Sequence, residues 1–196
     1  MPTRLLFVRH GASTHDIGPK GCRGLTAIGH DQAQSLAMQL SLFGPAVVYS
    51  STLRRAVETA TPIAAALGVP VVEDCGLCTW HTPPHADGMR RDDFRSRHRA
   101  EGGGVFTPFE QGNETWAQLV ARTGRAITTI AQRHRGRTAI LVGHAETVEA
   151  SFHVLAGQPL HRAFDLSVPP ASVTSWTTDG DPASWPPPRW TLLLGV

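Results

Sequence analysis

Apolar positions along this chain alternate between short continuous runs and helical stripes. Leu5-Leu6-Phe7-Val8 is a run of strand length, as expected for a strand covered on both faces. Residues 46–49, 69–72 and 138–142 repeat it. Between these runs the spacing becomes helical. Ile28, Ala33, Leu36, Ala37 and Leu40 keep one face of a helix that Thr26 caps and Gly44-Pro45 stops. Ala56, Ala60, Ile63, Ala64 and Leu67 mark a second helix ending at Gly68, with Arg55 one residue off its stripe. Asn113-Glu114-Thr115 caps a long helix striped by Trp116, Leu119, Val120, Ile127, Ile130 and Ala131 and closed by Arg135-Gly136-Arg137. A short helix reaching about Ala156 and two late strands, 172–176 and 190–195, flank the end of the pattern, with a Pro-rich loop at 182–188. Strands alternating with helices predict an α/β fold, paired in parallel through right-handed crossovers.

Two stretches break the rhythm. Residues 17–24 read as a Gly/Pro-rich connection. Residues 73–111 are irregular and rich in Gly, Pro, His and Arg, which predicts a lid or substrate-specificity insertion within a single domain spanning 1–196. The bulk numbers fit that picture: 196 residues, 41% hydrophobic, net charge +2. A charge this small gives no electrostatic case for nucleic acid or a membrane surface as partner. No apolar run approaches membrane-spanning length, and the first residues lead directly into a strand, so no signal peptide is expected. Three cysteines do not make a disulfide framework, and a cytoplasmic location is expected.

Chemistry gathers at the predicted strand ends. The first strand runs into Arg9-His10-Gly11, followed by the hydroxyls of Ser13 and Thr14. Gly11 allows a sharp turn and close approach to a ligand. In open parallel sheets ligands bind beyond the carboxyl ends of the strands. Arginine's planar fork suits phosphate oxygens, and a neutral histidine nitrogen is a nucleophile. The second strand ends in Ser50-Ser51-Thr52 before Arg54-Arg55, and the fourth ends in Val142-Gly143-His144. Parallel topology would bring Arg9, His10, Arg55 and His144 to one edge.

These motifs resemble those of the histidine phosphatase superfamily, the phosphoglycerate mutase-like fold. Leu6 to Ser13 is similar to its Arg-His-Gly segment, and Leu25-Thr26 through Gly29 to Gln32-Ala33 to its Leu-Thr-x-x-Gly-x-x-Gln-Ala helix start. The run from Ser50 to Ala60 resembles Ser-x-Leu-x-Arg-Ala-x-Gln-Thr-Ala and selects Arg55 over Arg54. Gly112 to Thr115 is similar to its Gly-Glu-Ser region, and Val142-Gly143-His144 to its second histidine motif. The resemblance implies a three-layer α/β/α sandwich with a mostly parallel central sheet and crossover helices. It implies a phosphatase acting on a small phosphorylated metabolite. His10 would be the nucleophile that forms a phosphohistidine, and Arg9, Arg55 and His144 would stabilise the transferring group. Gly11 and Ser13 would add contacts, with neither metal nor other cofactor required.

One position departs from the family pattern. Where relatives place a glutamate in a Leu-x-Glu setting, this chain reads Leu77-Cys78-Thr79. Threonine is no acid near neutral pH, so Glu146 or Asp16 is the expected proton donor, with Glu73 and Asp74 flanking the vacant position. Asp16 also stands where relatives contact the phosphate. Arg90 and Arg91 would reach a second anionic group, although the whole run of Arg90, Arg91, Arg95, Arg97, His98 and Arg99 also reads as a solvated face. Trp80, Phe106 and Phe109 either line the mouth or pack the lid. Cys75-x2-Cys78-x2-His81-x3-His85 carries zinc-type ligands, but in so compressed a stretch two semi-buried thiols and exposed loop histidines are the simpler reading, and no metal is predicted. The competing functions are a phosphomutase of the same fold and a degenerate member that binds a phosphorylated ligand or serves other chemistry, the latter favoured by Thr79.

Overall fold

A computed structural model describes residues 1–44, 46–97, 104–108, 110–161 and 166–193. Phe109, His98 and Arg99 lie outside the described residues, as do the side chains of Arg95 and Arg97.

The architecture follows from the alternation within its central strand. In β1 (Thr3–Arg9), Leu5 and Phe7 point into one core while Leu6 and Val8 point into another. The same split occurs in β6 (Thr138–Gly143), where Ala139 and Leu141 oppose Ile140 and Val142. A strand apolar on both faces needs cover on both sides. Leu36, Ala37 and Leu40 of α1 (Ala27–Ser41) and Ala56, Ala60 and Ile63 of α2 (Arg54–Leu67) supply it on one side. Ile127 and Ile130 of α4 (Trp116–Arg133) and Val148 of α5 (Ala145–Ala156) supply it on the other. The result is the expected three-layer α/β/α sandwich.

The six-stranded sheet has the order β5-β4-β6-β1-β7-β8, with β4 (Ala46–Ser50), β5 (Val71–Glu73), β7 (Val173–Thr178) and β8 (Thr191–Leu193) completing it. The four strands from β5 to β1 run parallel; β7 is antiparallel to β1, and β8 to β7. Register aligns the strand ends: Arg9 pairs with Gly143, and Ser50 with Val142. The ladder continues past them, because His10 N–H donates to Gly143 O at 2.9 Å and Ser51 N–H to Val142 O at 2.9 Å. Three loops therefore emerge side by side.

Several expectations are corrected. Ile28 is 66% exposed rather than on the apolar face of α1. Gly29 takes that place, because a Cβ there would lie 2.1 Å from Ala12 O. The connection read at 17–24 is the turn and most of the second strand of a small hairpin, β2 (Ser13–His15) with β3 (Cys22–Leu25), too short and too polar to show periodicity. The irregular 73–111 stretch holds α3 (Arg91–Arg97) and two 3-10 turns, Cys75–Leu77 and Pro84–Ala86. The predicted caps form: Thr26 Oγ1 accepts Gly29 N–H at 3.1 Å, and Thr115 makes a reciprocal box with Gln118.

Candidate active site

The loop after β1 is fixed by side chains from two helices. Gly11 N–H donates to Thr59 Oγ1 at 3.0 Å, and Ala12 N–H to Gln32 Oε1 at 2.7 Å. Both acceptors sit within the motifs quoted above, and the structure gives each a task that sequence reasoning had not assigned. Gly11 also has a packing role besides the expected one. A Cβ there would lie 2.6 Å from Gly29 O, so the glycine is set by the close passage of loop and helix.

Arg55 is the hub of the site. It is 3% exposed, and its guanidinium has donors only. Its Nε donates to His10 Nε2 at 3.1 Å, and its Nη2 meets His144 Nδ1 at 3.1 Å. Because Arg55 cannot accept, both contacted nitrogens are acceptors, and this fixes the tautomers. His10 carries its proton on Nδ1 and donates it to Gly11 O at 2.8 Å, leaving the Nε2 lone pair in the pocket. His144 carries its proton on Nε2 and donates to Ser51 Oγ at 2.9 Å. The two rings lie 5.2 Å apart, tilted by 66°. Ser51, fully buried, passes its proton to Cys78 Sγ at 3.3 Å and accepts Leu53 N–H at 3.2 Å. The third branch of Arg55, Nη1, donates to Cys22 Sγ at 3.3 Å. Neither Ser51 nor Cys22 was singled out from sequence, since only the folded chain shows what a lone hydroxyl or thiol touches.

Arg9 is half-buried and donates Nη1 to Val168 O. Burial pulls its guanidinium below the ordinary arginine value; the charge of Glu146 opposes that, while Arg91 and Arg55 add to it. Glu146, in the first turn of α5, thus faces Arg9 at the rim. Asp16 is committed to the mouth: Oδ2 accepts Arg23 Nη2 at 3.3 Å and Oδ1 accepts Arg91 N–H at 3.4 Å. A cavity of about 460 Å³ opens there, lined by Ser13, Asp16, Arg23, Arg90 and Arg91 among others.

The Leu77-Cys78-Thr79 segment is clamped from behind. Arg122 donates to the carbonyls of Cys75, Gly76, Cys78 and Thr79 at 3.0–3.1 Å and pairs bidentately with Glu114 at 2.8 and 2.9 Å. Among the described residues no group of three metal-type ligands forms. Cys75 approaches His81 Nε2 at 3.5 Å, but His85 turns to Glu110 at 3.0 Å. Trp80 packs on Trp116, with centroids 5.7 Å apart, while Phe106 is exposed beside His161.

Two histidines and an arginine hydrogen-bonded together, with a second arginine beside them, stand at the carboxyl edge of a mostly parallel sheet in an α/β fold. The chain belongs to the histidine phosphatase superfamily (branch 1), whose family model matches residues 5–185. It is 27% identical to phosphoserine phosphatase 1 of Hydrogenobacter thermophilus over 186 residues, covering 86% of this chain and 83% of that protein. It is 28% identical over 191 residues to a bifunctional protein of Mycobacterium tuberculosis, covering 91% of this chain and 52% of that one. The chain therefore spans about half the length of the mycobacterial relatives it matches. A mycobacterial glucosyl-3-phosphoglycerate phosphatase shares the fold, with TM-score 0.78 and 22% identity over 98% of this chain and 97% of that chain. Among the described residues no helix is long and apolar enough to cross a membrane.

Proposed function

We propose that this chain is a phosphatase that hydrolyses a phosphomonoester of a small metabolite through a phosphohistidine on His10. The observation that carries the reading is the guanidinium of Arg55 bridging His10 Nε2 and His144 Nδ1, each at 3.1 Å. A phosphoryl group entering there takes over the donors of Arg55 and leaves the Nε2 lone pair facing phosphorus. His10 Nε2 attacks, the P–N bond forms, and the ester P–O bond breaks in line. Glu146 gives a proton to the departing alkoxide. Water then attacks phosphorus and gives its proton back to Glu146, the P–N bond breaks, and inorganic phosphate leaves.

Charge on the transferring group is met by fixed donors, which are effective because they need no reorganisation. Arg9 and Arg55 are permanently cationic. His144, protonated on both nitrogens when the dianion binds, turns Nδ1–H to an oxygen while Nε2–H stays on Ser51. Backbone N–H groups near Gly11 and the Ser13 hydroxyl complete the pocket. Glu146 is the better proton donor of the two carboxylates considered, because both oxygens of Asp16 are engaged by Arg23 and the Arg91 backbone.

Arg90 and Arg91, with Arg23, line the mouth together with Asp16 and Asp92, a net positive lining that suits a second anionic group on the substrate. The relatives' names point the same way: phosphoserine and glucosyl-3-phosphoglycerate each carry a carboxylate besides the phosphate. Three free cysteines fit a reducing, cytoplasmic setting.

The test is hydrolysis of p-nitrophenyl phosphate and of a phosphometabolite panel by the wild type and by His10→Ala. The variant is expected to lose at least about a thousandfold in rate while keeping the circular dichroism spectrum of the parent. Within the panel, carboxylated phosphomonoesters are expected to turn over faster than neutral ones. Unchanged hydrolysis by His10→Ala sinks the nucleophile assignment, and equal rates for both ester classes sink the second-anion contact.

A further inference from the structure

The catalytic constellation leaves one buried sulfur contact unused. Cys78 Sγ receives the proton of Ser51 at 3.3 Å and contacts Thr52 Oγ1 at 3.2 Å, and Ser51 is the group that holds His144 Nε2. Three residues earlier in the chain lies Cys75, exposed, with His81 Nε2 3.5 Å from its sulfur. The two cysteines are joined by a 3-10 turn in which Cys78 N–H donates to Cys75 O at 3.1 Å. Such a turn brings its end Cα atoms within about 7 Å, against about 4.4–6.8 Å in disulfides. The turn is also held in place: Asp74 Oδ1 accepts Gly76 N–H at 2.7 Å, and Arg122 grips the carbonyls of both cysteines.

We propose that Cys75 and Cys78 are a reversible thiol-modification site, closed to a disulfide by glutathione-type disulfides, and that closure slows phosphoryl transfer by withdrawing the sulfur that anchors Ser51. The effect on rate rests on the phosphatase reading above; formation of the disulfide does not.

The chemistry balances in two exchanges. Burial and the neighbouring Cys78 hold the Cys75 thiol above its ordinary range, and burial and Arg122 hold His81 below its own, so the thiolate forms transiently, its proton passing to His81 Nε2 3.5 Å away. The Cys75 thiolate attacks one sulfur of oxidised glutathione. That S–S bond breaks, and one glutathione leaves as a thiolate, protonated from His81. Cys78 then attacks Cys75 Sγ, expels the second glutathione and gives it the Cys78 proton. Two protein thiols are oxidised to one disulfide, and one glutathione disulfide is reduced to two thiols. The ring closed is minimal, so the bond gains little from loop-closure entropy. That places it among the labile, reducible disulfides rather than the structural ones.

Closure changes the site through hydrogen bonding. The sulfur of Cys78 turns towards Cys75 and ceases to accept the Ser51 hydroxyl. Ser51 is fully buried, so its donor is left without a partner and its oxygen swings relative to His144. The expected loss is about tenfold in kcat, the size that follows when one buried hydroxyl loses its acceptor. Cys22 is the competing thiol, because it touches Arg55 directly and its modification would also lower the rate.

The experiment treats full-length protein with oxidised glutathione and reads two signals: a tryptic mass map and kcat on p-nitrophenyl phosphate. The expected map shows residues 75 and 78 joined, with loss of two hydrogens and no retained glutathione, and kcat down about tenfold and restored by dithiothreitol. Cys75→Ser, an exposed position outside the pocket, is expected to keep the basal rate and to lose the response. A stable glutathione adduct, a modification confined to Cys22, or a mapped disulfide with unchanged kcat each overturns the proposal. Reduced wild type that hydrolyses nothing overturns the phosphatase reading and the coupling with it, while the mass map still decides the disulfide.

Discussion

The protonation of His10 is dictated by what surrounds it. A donor-only guanidinium on Nε2 and a carbonyl on Nδ1 leave a single neutral tautomer, with the lone pair directed into the pocket. The same logic reads His144, and it shows why Ser51 matters: a base is oriented by the group behind it. Arg9, His10 and His144 were legible in the sequence because each stands at the end of an apolar run, where a parallel sheet presents its loops, whereas Arg55 was picked out from Arg54 by the resemblance of its motif. Ser51, Thr59 and Gln32 were visible only as letters within motifs, and Cys22 only as part of the connection at 17–24, since their work is defined by partners far along the chain. The vacant acid position at Thr79 yields a prediction at this scale. Glu146→Gln is expected to lower kcat/KM for esters with alkyl leaving groups by about a hundredfold and to spare kcat/KM for p-nitrophenyl phosphate, whose phenolate needs no proton when the P–O bond breaks. Equal losses on both classes would show that Glu146 moves no proton to the leaving group.

Elements that pack are the ones periodicity revealed. The stripe of α4 from Trp116 to Ala131 is buried as read, and α2 carries Arg55 at its start, where it enters the site rather than the core. Elements held by polar contacts stayed hidden. The β2–β3 hairpin and the Cys75–Leu77 turn have no apolar period, and the latter owes its place to Arg122, which binds four carbonyls and Glu114. The Arg122 and Glu114 side chains are only 14% and 9% exposed. Arg122→Met should cost about 3 kcal/mol, because it strands the Glu114 carboxylate as well as four carbonyls. Urea unfolding measures it, and a loss under about 1 kcal/mol would mean that the clamp is incidental. Arg122→Lys should not restore the loss, since an ammonium cannot reproduce the fork.

For the molecule as a whole, shifted carboxyls and histidines shape its response to acid, two glutamates among them. Burial raises Glu114, but the hydrogen bonds from Arg122 and His81 N–H outweigh it, and the net shift is downward. Glu58 behaves alike: burial raises it, and Leu25 N–H and Arg54 bring it below the ordinary value. A carboxyl lowered in the folded state contributes stability that is complete above the unfolded value of 4.5 and lost as pH falls towards the folded one. Thermal midpoints are therefore expected to begin falling below pH 6.5, where His81 and His134, held below that value by burial, must take up protons, and to fall further below pH 4.5, with a shallower second drop in a Glu58→Gln, Glu114→Gln double variant. An equally steep drop in that variant would assign acid lability to other groups. The layered architecture itself was plain in the sequence, whereas the antiparallel edge formed by β7 and β8 was not, because strand direction leaves no mark on apolar spacing.

The sheet order has a kinetic corollary. The strand carrying His144 is threaded between two strands translated well before it, so a chain growing from the ribosome holds Arg9, His10 and Arg55 with a gap in their midst. Pairings this distant along the backbone form late, after local helices have condensed. On the proposed function, anion binding is therefore expected to return only after this strand has paired between its two neighbours, and its regain during renaturation marks the moment at which the gap closes.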